Sequence, residues 1–102
     1  MIKLMADYHC FPLWEASPGA VGNIDPGDLP ISEALQERLL VWASRFGRTL
    51  DMNDPAVSGF ENAESAEAFK NDGLELVGIL KTELGAEYEV IHRISGYVKV
   101  RR

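Results

Sequence analysis

The chain has 102 residues, enough for one domain over residues 1–102 with a single core and little else. Its 46 % hydrophobic and 25 % charged content is ordinary for a globular domain, and no apolar run approaches the roughly 20 residues that span a bilayer. A net charge of −6 speaks against nucleic acid as a partner, because phosphates call for cations.

The charge is uneven. Residues 1–50 hold six acids and four bases, residues 51–90 ten acids and two bases, and residues 91–102 four bases and no acid. The acidic middle favours a basic partner through steering and complementarity; it equally serves solubility. One cysteine cannot close an internal disulfide, so a reducing, cytoplasmic setting is expected. The opening MIKLMADYHC has one lysine and no long apolar stretch, and no secretory signal is expected from it.

In MIKLMA, Ile2 and Leu4 alternate with Lys3, which predicts a first strand over residues 1–6. Residues 7–31 follow with four of the five prolines. Prolines at 12, 18, 26 and 30 forbid a long helix, and SPG and DPG are turn signals, so this stretch reads as a long loop over one edge of the fold. Phe11, Leu13 and Trp14 are expected to tuck that loop onto the core, with a binding role as the alternative.

PISEALQERLLVWASRFG predicts the first helix, with Ser32 as N-cap and Gly47 at its end. Leu35, Leu39, Trp42 and Phe46 recur at steps of three and four, so they line its buried face. RTLDMNDPAVSGF is a second loop. The second helix is capped by Asn62 and ended by Gly85, with Ala66, Phe69, Gly73, Leu76, Leu80 and Leu84 as its buried stripe. Gly73 on that inner face permits close backbone approach or marks a kink. EYEVIHRI, residues 87–94, alternates as a strand, and SG at 95–96 before YVKVRR is a hairpin signal for a last strand over 97–101. The sum is an α+β fold: two helices packed on a small antiparallel sheet, β-α-α-β, with a C-terminal hairpin as an option.

Few residue patterns carry chemistry. A structural zinc site needs four ligands, and one cysteine with two histidines does not supply a paired set; neither metal nor cofactor is expected. His9 and Cys10 are adjacent, so on a strand they point to opposite faces and cannot act on one atom. Cys10 reads as a small buried hydrophobe, or as a nucleophile if His92 approaches it across paired strands. Five carboxylates, Asp51, Asp54, Glu61, Glu64 and Glu67, cluster around the start of the second helix. Dipole and capping account for Glu61 and Glu64 but leave Asp51 and Asp54 over.

The whole chain also has a pattern. It runs through IKLMADYHCFPLWE, DPGDLPISEALQERLLVWASRF, TLDMNDPAVSGF and FKNDGLELVGILKTELGAEYEVIHRI. It resembles a group of small bacterial proteins that includes immunity proteins of contact-dependent growth inhibition and related polymorphic toxin systems, over roughly residues 2–92. The resemblance implies a non-enzymatic cytosolic protein that binds a cognate toxin domain, often a nuclease with a basic cleft, and blocks it. On that reading Asp51, Asp54, Glu61, Glu64 and Glu67 face the toxin, with Tyr8 and Trp14 as apolar contacts. The protein is expected to work as a monomer or weak homodimer, away from nucleic acid and membrane. The rival readings are a small enzyme or ligand-binding domain with a pocket near Cys10 and His92, and a homodimeric adaptor pairing an exposed sheet edge.

Overall fold

Ile2 and Leu4 point to one side of their strand and Lys3 to the other, and the fold grows from that alternation. The structure is a computed structural model. It describes residues 1–17, 19, 22–50, 53, 58–94 and 98–100.

Strand β1, Ile2–Leu4, lies between β2, Leu13–Glu15, and β4, Val90–His92; β3, Gly22–Ile24, flanks β2, giving the order β3-β2-β1-β4. The α+β architecture of two helices on a small sheet is as expected. Two details differ. First, the stretch from 7 to 31 contributes β2 and β3. Its prolines do not prevent this, because each strand is three residues long and fits between them: Pro12 sits just before β2, and Pro26 opens a single helical turn after β3. Second, the sheet is mixed. β1–β2 and β2–β3 are antiparallel, whereas β1 and β4 run parallel, with Ile2 opposite Val90 and Leu4 opposite His92. Parallel neighbours need a long crossover, and both helices lie on the chain between these two strands.

Helix α1 spans Glu33–Gly47. The Ser32 hydroxyl accepts the Leu35 N–H at its start. Helix α2 spans Ala63–Leu84. The Asn62 side chain accepts the Ser65 N–H, and Gly85, at φ 73°, ends it in a backbone region that suits glycine. Glu83 ties the two helices together, accepting from both the N–H and the hydroxyl of Ser32 at 2.6 and 2.9 Å.

The helical layer buries Leu35, Leu39, Trp42 and Phe46 of α1 against Phe69, Leu76 and Leu80 of α2 and against Ile2, Leu4, Leu13 and Val90 of the sheet. Each such side chain contributes about 1.5–3 kcal/mol on burial. Trp42 stacks on Phe69 at 4.4 Å between centroids and donates its indole N–H to the Phe69 carbonyl. Gly73 faces that indole, so the close-approach reading holds: a Cβ there would lie 2.8 Å from Trp42 Cζ2. The hairpin turn at 95–96 lies outside the described residues. Beyond it, Lys99 and Val100 run beside Phe60, with the Phe60 N–H donating to the Lys99 carbonyl and a parallel bridge between Phe60 and Val100.

Candidate functional site

The acidic group splits in space. Asp51 and Asp54 lie outside the described residues. Glu61, Glu64 and Glu67 are exposed at the start of α2, where their charge suits the helix dipole. Their surroundings are less uniformly acidic than the linear sequence implies. Glu67 pairs with Lys70 at 3.8 Å. Glu61 shares a shallow hollow of about 310 Å³ with Arg45, Arg48 and Ser65. Glu64 makes no ion pair among the described residues.

The two aromatics of the expected binding set serve the fold, and they lie on different sides of it. Tyr8 is half-buried. Its ring stacks on Phe46 at 4.6 Å, and its hydroxyl lies 3.2 Å from Thr49 Oγ1. The Thr49 proton is committed to the Phe46 carbonyl at 2.6 Å, so Tyr8 is the donor. Tyr8 thereby fastens the β1–β2 turn to the end of α1. Trp14 stands on the outward face of the sheet, in register with Lys3 and Asn23, and donates its indole N–H to the Met5 carbonyl at 2.9 Å. Within HCFPLWE, Pro12 and Leu13 are buried, whereas Phe11 is 39 % exposed. The expected tucking thus holds for Leu13, partly for Trp14, and not for Phe11.

Cys10 and His9 are not on a strand. They occupy the turn between β1 and β2, where His9 takes a φ of 62° as the chain reverses. Cys10 is half-buried rather than buried. Together with Asp7, His9, Phe11 and Leu40 it lines a groove of about 380 Å³ against α1. His92 sits exposed on β4, on the far side of β1 from β2, and is not among the residues that line the groove beside Cys10. Among the described residues, no three His, Cys, Asp or Glu side chains come together as a metal cluster. Glu15 is held below the usual carboxylate range, chiefly by hydrogen bonds from the Ser17 hydroxyl and backbone N–H; this organises the end of β2.

One surface feature escaped the sequence reading. Leu40 and Val41, on the outer side of α1, are 44 % and 51 % exposed. The signal was present: LLVW places four apolar residues in a row where the helical period uses only Leu39 and Trp42. Between α1 and α2 runs a groove of about 480 Å³ that Val41, Trp42 and Leu76 line. Arg38 reaches over it to Glu75 at 3.5 Å, and Arg45 reaches over it to Asp72.

A family model described as Serratia CdiI immunity protein-like matches residues 1–95. No curated protein matches the chain.

Proposed function

Because the chain belongs to the Serratia CdiI immunity protein-like family, with all but its last seven residues matched, we propose that it binds a cognate toxin domain one-to-one in the cytoplasm and neutralises it by covering its active cleft. The toxin is a nuclease on this reading. The protein acts by binding and not by catalysis, and it acts without a cofactor. No helix among the described residues is long and apolar enough to cross a membrane.

The observation that carries the reading is family membership. The acidic start of α2 supports the nuclease part. A nuclease cleft that holds phosphates is cationic, and exposed Glu61, Glu64 and Glu67 present the opposite sign. Asp51 and Asp54 add to it in sequence, and Tyr8 and Trp14, on different sides of the fold, are proposed as further contacts rather than as neighbours of the acidic stretch. Exposed charges of this sort speed association more than they hold the complex.

The test is co-expression with the toxin domain encoded by the adjacent gene. Wild-type protein should restore growth and abolish nuclease activity in vitro at equimolar ratio. Reversing Asp54 and Glu64 to Lys should slow association sharply, and salt should weaken the wild-type complex, since exposed charges are screened beyond about 10 Å at 0.1 M. Failure to restore growth would refute the immunity role. Equal association rates and a flat salt response would remove the acidic stretch from the interface.

A further inference from the structure

Leu40 and Val41 need an explanation that the fold does not give. Leu35, Leu39, Trp42 and Phe46 already supply the buried stripe of α1. An exposed β-branched residue lowers helix propensity relative to alanine, so Val41 is not there for the helix either. Leu40 and Val41 are consecutive on α1, and each borders a groove. Leu40 shares one groove with Phe11, which is itself 39 % exposed, and Val41 lines the groove on the other flank of α1. Single exposed apolar residues are normal; a connected group between two grooves marks an interaction surface.

The charges around it indicate the occupant. Arg38 and Arg45 are paired with Glu75 and Asp72 of α2. Glu33 and Glu37, exposed on the same helix, have no ion pair among the described residues. The cations of α1 are therefore ion-paired and its N-terminal carboxylates are not, Glu33 being offset only by the helix dipole at its first turn. A second copy of this chain, with α1 antiparallel to itself across a two-fold axis, would offer Glu33 and Glu37 the cation Arg45, which is already paired with α2. A cationic surface with an apolar projection meets both features.

Resting on the immunity reading, we propose that the outer face of α1 is the anchor of the toxin interface: the toxin domain packs an apolar side chain against Phe11, Leu40 and Val41 and sets Lys or Arg beside Glu33 and Glu37. The acids at the start of α2 then steer the encounter, and α1 holds the complex. Arg45 borders both the α1–α2 groove and the hollow beside Glu61, so the two regions form one surface.

The experiment measures binding kinetics of the full chain against a catalytically inert form of the adjacent gene's toxin domain. The variant is Leu40→Ala with Val41→Ala, two half-exposed positions whose truncation leaves the core untouched; an unchanged thermal midpoint verifies this. Dissociation should quicken at least about tenfold while association stays within about twofold, the pattern of a lost anchor. Unchanged dissociation, with tight wild-type binding, overturns the α1 face and leaves the immunity role intact. Absence of wild-type binding overturns both. Sedimentation of the wild type alone as a dimer, which the double variant converts to monomer, assigns the face to self-association and also overturns the proposal.

Discussion

Replacing Gly73 by alanine sets two effects of opposite sign against each other. In an exposed helix the change would stabilise by about 1 kcal/mol, because glycine loses more backbone freedom on folding. At Gly73 the added methyl would lie 2.8 Å from Trp42 Cζ2, 2.9 Å from Ile94 Cδ1 and 3.2 Å from Trp42 Cε2. The Ile94 contact is the end of a flexible side chain and can rotate away. The Trp42 contact cannot yield as easily, since the indole is stacked on Phe69 with 5° between planes and hydrogen-bonded to the Phe69 carbonyl. Overpacking of a filled core costs about 1–3 kcal/mol, and a ring fixed this way belongs toward the upper end. The net expectation is a loss of about 1–2 kcal/mol, a fall of roughly 5–15 °C in thermal midpoint for a domain of this size. Gly78 in the same helix is exposed, with nothing within 4 Å of a Cβ, so Gly78→Ala is the internal control. It should raise the midpoint by roughly 4–8 °C. Thermal and urea unfolding of both variants beside the wild type measures the difference. A Gly73→Ala protein stabilised as much as Gly78→Ala would refute the close-packing argument.

Trp42→Ala empties the centre of the core and should cost about 3–5 kcal/mol, a large part of a small domain's stability; far-UV circular dichroism against temperature would show it. Ser32→Ala removes the hydroxyl that caps α1 and donates to Glu83, and a loss of about 1 kcal/mol is expected by urea unfolding. Glu15 has a folded pKa below its unfolded one. Its contribution to stability is therefore complete above the unfolded value and drains away as pH falls through the folded one. Glu15→Gln should accordingly flatten the acid limb of a stability–pH curve and leave its shape near neutral pH unchanged. Cys10→Ser, on a half-buried turn position, should protect cells from the toxin as well as wild type; a folded but inactive variant would revive a chemical role for the thiol.

Much of this protein can be read along the chain, because its helices are local objects. The caps Ser32 and Asn62, the stop at Gly85 and both buried stripes are consequences of short-range hydrogen bonding and the 3.6-residue period. Strand β1 and the region of β4 are legible for the same reason, since alternation is local. The strands β2 and β3 were not legible. Three residues between prolines carry too little pattern, and their order depends on β1 being there to pair with. The parallel pairing of β1 with β4 is likewise a choice between distant segments: alternation is identical in either direction, and only the packing of both helices on one face selects it. The candidate site follows the same division. Acidity at Glu61, Glu64 and Glu67 is written in the composition. That Arg45 and Arg48 come up beside Glu61, that Tyr8 is spent on Phe46 and Thr49, and that Leu40 and Val41 remain outside the core are decided by how α1 lies against α2 and the sheet. A side chain's type is a property of the sequence, whereas its solvent exposure is a property of what the rest of the chain places over it.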